Sequence, residues 1–143
     1  MPVCAAAEIR SCRRARAPYR LAMQIVVTLD CVDTQAQSEF WLAALAPLEY
    51  RRAFDAPPYL SITGPASAPT LLLQKVPERK GGKNRMHLDL DFGTADLAAE
   101  VHRLERLGAR QLSGELTEHG FRWVVLADPE GNEFCLFVPP SAE

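Results

Sequence analysis

Arg85-Met86-His87-Leu88-Asp89-Leu90-Asp91 alternates residue by residue between apolar and polar side chains. Successive side chains of a strand point to opposite faces, so Met86, Leu88 and Leu90 are predicted on a core face and His87, Asp89 and Asp91 on the other. Only three histidines occur in the 143 residues, so His87 makes this polar face the first place to look for chemistry.

The pattern continues outward from there. Thr94 and Asp96 are cap candidates for a helix over Leu97–Leu107, whose apolar stripe is Leu97, Val101, Leu104 and Leu107 and whose stop is Gly108. Ala109–Glu118, Phe121–Ala127 and Glu133–Val138 read as three further strands, separated by His119-Gly120 and by Asp128-Pro129-Glu130-Gly131-Asn132. The first half has the same order. A β-branched run over Gln24–Val32 precedes a helix at about Gln35–Leu45, with Asp33 or Thr34 as its cap and Gln37 placed to complete a capping box. Ala36, Phe40 and Ala44 stand at helical spacing, and Pro47 marks the end. Glu49–Phe54, Tyr59–Thr63 and Thr70–Val76 complete the half, and 78–84, with Gly81-Gly82 and four charges, reads as an exposed linker.

Each half is therefore βαβββ. Laid over one another, Thr28-Leu29-Asp30-Cys31 falls on His87-Leu88-Asp89-Leu90, and Val76-Pro77 on Val138-Pro139. A repeat of this length that stops after two copies describes a pseudo-symmetric pair rather than an array. The expected architecture is α+β, with two tandem βαβββ units forming a curled mixed sheet around a shared cleft. The units span 23–77 and 85–139 of a single domain, 23–143.

Composition narrows the function classes. Hydrophobic residues at 48% and charged residues at 24% fit an ordinary globular chain. Residues 1–22 carry five arginines against Glu8, a net of +4, so the overall −2 leaves −6 on the remainder. A mildly acidic folded part argues against nucleic acid or an anionic membrane as partner. No apolar run reaches 18 residues, the minimum for a membrane helix. The Ala- and Arg-rich 1–22 stretch is expected to be a disordered basic leader, with an organelle-targeting leader as the alternative and Met23 as an alternative start. Four cysteines without a Cys-x-x-Cys spacing read as free thiols in a reducing cytoplasm.

Taken together, these features resemble the vicinal oxygen chelate superfamily, which includes glyoxalase I, extradiol dioxygenases and bleomycin-resistance proteins, and within it the glyoxalase-like branch. The resemblance covers Gln24 to Pro139. It rests on the paired units, on Leu29-Asp30-Cys31-Val32-Asp33 running into Phe40-Trp41, on Lys83-Asn84-Arg85-Met86-His87-Leu88-Asp89-Leu90, and on Asp128-Pro129-Glu130-Gly131-Asn132-Glu133-Phe134. It implies a homodimer and a cleft in which a divalent metal is held from the first and last strand of each unit. Those positions fall on Thr28, on about Leu73 or Gln74, on His87 and on Cys135. His87 matches. Thr28 replaces a histidine or glutamine, Leu73 cannot ligate, and Cys135 stands where a glutamate is usual, with Glu133 two positions earlier on the same face.

A hard cation wants several oxygen or imidazole ligands, whereas zinc accepts a His/Cys pair with a third ligand from Asp89, Glu133 or Gln74. The expectation is thus a small-molecule binder of the glyoxalase and bleomycin-resistance type, with no intact metal site. Its ligand-binding residues are Thr28, Gln74, His87, Asp89, Trp123, Glu133 and Cys135. The alternative is a lyase, isomerase or dioxygenase using His87 on a divalent metal (Zn, Ni, Fe or Mn) or as general base. His87 also reads as a satisfied polar group of the inner face. Trp123 reads as a stacking platform or a core residue, and Trp41 as core. Cys135 has no visible activating base, and His102 and His119 read as surface residues. Lys75, Arg79, Lys80, Lys83 and Arg85 read as a solvated linker or as a guide for an anion.

Overall fold

A computed structural model describes residues 25–65, 67–94 and 96–140. The basic leader expected at 1–22, with Cys4 and Cys12, lies outside the described residues.

The first unit runs β1 (Val26–Cys31), α1 (Thr34–Ala44), a 3-10 turn (Ala46–Leu48), β2 (Arg51–Ala56), β3 (Tyr59–Thr63) and β4 (Thr70–Lys75). The second runs β5 (Leu88–Leu90), α2 (Leu97–Arg106), β6 (Arg110–Gln111), β7 (Leu116–Glu118), β8 (Phe121–Ala127) and β9 (Glu133–Val138). Their sheets have one topology. The first is ordered β1-β4-β3-β2; the second is β5-β9-β8, with β6 and β7 both on β8. In each, the first strand pairs parallel with the last, Thr28 opposite Leu72 and Asp89 opposite Cys135. The βαβββ repeat is present, as two separate mixed sheets.

Both helices pack on one side of these sheets and enclose the core. Alternation sends Leu60, Ile62, Leu71 and Leu73 of the first unit and Val124, Leu126, Phe134 and Leu136 of the second to that side, where all are buried. Trp41 joins the units: its ring lies 5.2 Å from Phe40 and 5.1 Å from Phe134 of β9, in edge-to-face contacts. Arg103 of α2 adds two hydrogen bonds to α1, donating to the carbonyls of Ala43 and Ala44 that the helix end leaves open.

Four expectations need correction. Asp33 is the sole cap of α1, accepting from the amides of Gln35 and Ala36, so the capping box through Gln37 does not form. Gln37 is instead fully buried with neither amide atom hydrogen-bonded, while Ala36 of the proposed stripe is exposed. The strand expected at Arg85–Asp91 is regular only over Leu88–Leu90; Met86 is 74% exposed, and the irregular stretch runs 76–87 rather than 78–84. The strand expected at Ala109–Glu118 is broken into β6 and β7. Leu112 and Ser113 both donate to the Val125 carbonyl while the Ser113 hydroxyl accepts from the Val125 amide, so two residues oppose one.

Candidate functional site

The side of the second sheet away from the helices is built by register. Val124 and Leu126 of β8 are buried towards the helices, so Phe121 and Trp123 face the other way. Trp123 stands opposite Phe137 of β9 and Leu116 of β7, and Cys135, two residues before Phe137, stands opposite Asp89. Asp89, Phe121, Trp123, Cys135 and Phe137, with His87, Glu118 and His119, line an open groove of about 410 Å³. Phe121 and Phe137 have ring centroids 6.3 Å apart, and His119, at φ 51° before Gly120, turns the chain at the groove's rim. His119 is on the surface, as expected, and is also part of this lining.

At the other end of the groove, His87 Nδ1 lies 2.9 Å from Asp89 Oδ1 and 4.0 Å from Cys135 Sγ. Burial pushes the Cys135 thiol up to about 11, aided by the charge of Asp89 and a hydrogen bond to it. A thiol so shifted stays protonated near neutral pH, so the cluster is no activated nucleophile. Its geometry agrees: Asp89 and Cys135 approach the same ring nitrogen, whereas a relay would engage the two nitrogens separately. Nε2 has no hydrogen-bond partner among the described residues.

His87 is also a wall of a second, smaller cavity of about 140 Å³ between the units. Thr28, Val27 and Leu29 of β1 line it from one side, and His87, Leu88, Glu133 and Phe134 from the other. The repeat-related pair Thr28 and His87 thus lines one cavity within one chain. Glu133 is engaged elsewhere. Its Oε2 accepts from the Asn84 amide at 2.8 Å and its Oε1 lies 3.5 Å from Lys80 Nζ, which holds its carboxyl below the usual carboxylate range, the amide more than the ammonium. The linker cation Lys80 is therefore a tether. Gln74 is on the face of β4 opposite to buried Leu73, but is not among the described residues of either lining.

Of the positions that the resemblance assigns to a metal, Leu73 is turned into the core, and Gln74 lines neither the groove nor the cavity that His87 shares. What does converge is His87, Asp89 and Cys135, whose ligand atoms all lie within 4.8 Å of one another. An imidazole, a carboxylate and a thiol suit zinc and not a hard ion.

The Asp128–Asn132 turn does different work. Buried Asp128 accepts from the amides of Glu130 and Asn132, from the Asn132 side chain and from Trp41 Nε1. Glu130 reaches the first unit, its carboxylate accepting from the amides of Val32 and Asp33 ahead of α1. This joint was not foreseen; a carboxylate facing the positive end of a helix was a signal for it only once the two units were known to touch.

A family model for a glyoxalase-like domain matches residues 26–137, and the chain belongs to that family. Its fold is shared by solved structures at low identity. A glyoxalase/bleomycin resistance protein/dioxygenase family enzyme from Burkholderia phytofirmans PsJN is similar at 16% identity and TM-score 0.68 over 78% of this chain and 94% of that one. A glyoxalase-related enzyme from Fulvimarina pelagi is similar at 19% and 0.63, over 82% and 88%. The fosfomycin resistance protein FosX from Listeria monocytogenes, complexed with Mn(II) and a dihydroxypropylphosphonic acid, is similar at 11% and 0.67, over 83% and 91%. No curated protein matches the chain in sequence. The vicinal oxygen chelate fold and the glyoxalase-like domain, which the sequence resembled, are thus established; among the described residues no helix is long and apolar enough to cross a membrane.

Proposed function

We propose that the chain binds a small organic metabolite or antibiotic in the groove of its second sheet, rather than in the expected cleft between the units, and without the metal-assisted chemistry of its superfamily. The observation that carries this is the groove over Phe121, Trp123 and Phe137 with the His87–Asp89 pair at one end: an apolar concavity with few convergent polar groups is how small-molecule sites are built. A thermal-shift screen of metabolites and antibiotics, bleomycin and fosfomycin among them, tests it. A true ligand stabilises the folded state by mass action and raises the Tm of the wild type but not of Trp123→Ala. If every shift survives that replacement unchanged, the reading is wrong.

Two further expectations belong to this reading. Cys31 and Cys135 are free thiols, which supports a reducing cytoplasm as the place of work. A homodimer is supported by apolar exposure along two sheet edges: Ile25 at 72% and Val26 at 52% by β1, and Met86 at 74% before β5. Light scattering decides the oligomeric state.

One observation favours a second reading, an enzyme of the superfamily: the 4.8 Å cluster of His87, Asp89 and Cys135. Those three would hold zinc, and the ion would supply Lewis-acid polarisation of a substrate oxygen. Metal analysis of protein purified without chelator separates the readings. Near-stoichiometric zinc that is lost on His87→Ala supports the enzyme and removes the first reading.

A further inference from the structure

The groove on the second sheet has an order along it that the binding reading does not use. From β5 across to β7 the register gives Asp89, Cys135, Phe137, Trp123, Phe121 and Glu118, each beside the next by pairing or by two-residue spacing. Three aromatic side chains thus form the floor, with the rings of Phe121 and Phe137 6.3 Å apart, and a carboxylate stands at each end of it. No lysine or arginine is among the described residues lining this groove. Of the linker cations, Lys80 is tethered to Glu133, and Arg79 lines a separate depression with Val32, Asp33 and Glu130. His87 is held by Asp89, and His119 lies 3.6 Å from the Glu118 carboxylate.

We infer that the ligand of this groove is a flat aromatic cation, stacked on Trp123, Phe121 and Phe137 with its charge answered by Asp89 and Glu118. The inference rests on the small-molecule reading above and names its ligand class. An aromatic face is the negative side of the ring quadrupole, so it attracts a cation that stacks on it, and carboxylates at the rim add to that attraction. Such a floor disfavours a phosphonate or carboxylate ligand, which would meet the ring faces and both acids without a counter-ion.

Titration calorimetry of the full chain at low salt and pH 8, above the ordinary imidazole range, tests this with three probes that share a flat bicyclic ring system: N-methylquinolinium, neutral quinoline and naphthalene-2-sulfonate. The cation should bind about tenfold more tightly than either of the others, a ratio set by the strength of cation–π and rim attraction. Asp89→Asn and Glu118→Gln should each shrink that ratio several-fold while quinoline binding holds. Trp123→Phe, which keeps a ring, should retain the preference and Trp123→Ala should lose it, so that loss of folding is told apart from loss of the floor. Equal binding of quinoline and the cation, or tighter binding of the sulfonate, overturns the inference and leaves the small-molecule reading standing. No binding of any probe at millimolar concentration overturns both.

Discussion

Trp41 Nε1 donates to Asp128 Oδ2 across 3.3 Å, so the first helix and the second unit's last turn share one buried hydrogen bond. Asp128 is 3% exposed and also serves the amides of Glu130 and Asn132, so no single donor accounts for its role. Replacing it with Ala would leave several buried donors unmet. The expected loss is about 3 kcal/mol of unfolding free energy in urea, with the slope unchanged. Trp41→Phe, which keeps the ring against Phe134 and removes only the donor, should cost about 1 kcal/mol. A loss under about 1 kcal/mol for Asp128→Ala would mean that the Asp128 hydrogen bonds contribute little to holding the units together.

Glu130 extends the same joint to the backbone. Its carboxylate accepts from Val32 N at 2.8 Å and Asp33 N at 2.9 Å, just ahead of the α1 cap. Glu130→Ala is expected to cost about 1–2 kcal/mol, the range for loss of a capping carboxylate. Glu130→Gln, which retains an acceptor, should recover part of it. Amide exchange should localise the change: the Val32 and Asp33 amides lose protection in Glu130→Ala while those of β8 keep theirs.

These two acids also show what was legible in the sequence. Periodicity located both helices to within a residue or two and β3, β8 and β9 to the residue, because each carries its own apolar pattern and its own stops. It failed where pairing decides. β5 begins at Leu88 because its parallel partner is Phe134, near the start of β9, and the preceding position is taken by Glu133 binding Asn84. The break between β6 and β7 contains Ser113-Gly114, a dipeptide that marks turns, whereas the pattern around it predicts one strand over Ala109–Glu118. At the candidate site, His87, Asp89 and Cys135, each singled out in the sequence, lie close together, and Trp123 lines the same groove. Phe121, two residues before Trp123 on β8, shares its face by alternation, whereas Phe137 joins it only through the β8–β9 register, which no local pattern in either strand states.

Glu133 gives a pH dependence whose sign follows from its partners. Its folded carboxyl lies below the ordinary 4.5, held there by the Asn84 amide and then by Lys80. A depressed acid contributes stability that is fully present above the unfolded value and is lost as pH falls through the folded one. The stability difference between wild type and Glu133→Gln should therefore be constant above about pH 5 and shrink as the pH drops below 4.5. A difference that grows on acidification would show that the carboxyl is not held down by the linker.

Cys135 lends itself to a chemical test of its surroundings. Its thiol is pushed up to about 11, by burial first and then by Asp89, and the buried Cys31 thiol to about 12, by burial first and then by the charge of Glu130. At pH 8 the thiolate fraction of Cys135 is on the order of 10⁻³, so with Cys4 and Cys12 replaced by Ser the chain should resist iodoacetamide far longer than a free cysteine does. Asp89→Asn removes the charge while leaving the site close to its original size, and should speed alkylation of Cys135 several-fold without touching Cys31. Urea should then equalise the two thiols at the rate of an unfolded chain, which separates burial from sequence context. If Asp89→Asn leaves the native rate unchanged, the charge does not act on the thiol. Burial alone would then account for its inertness, and the contact between Asp89 and Cys135 would have no part in the cluster's chemistry.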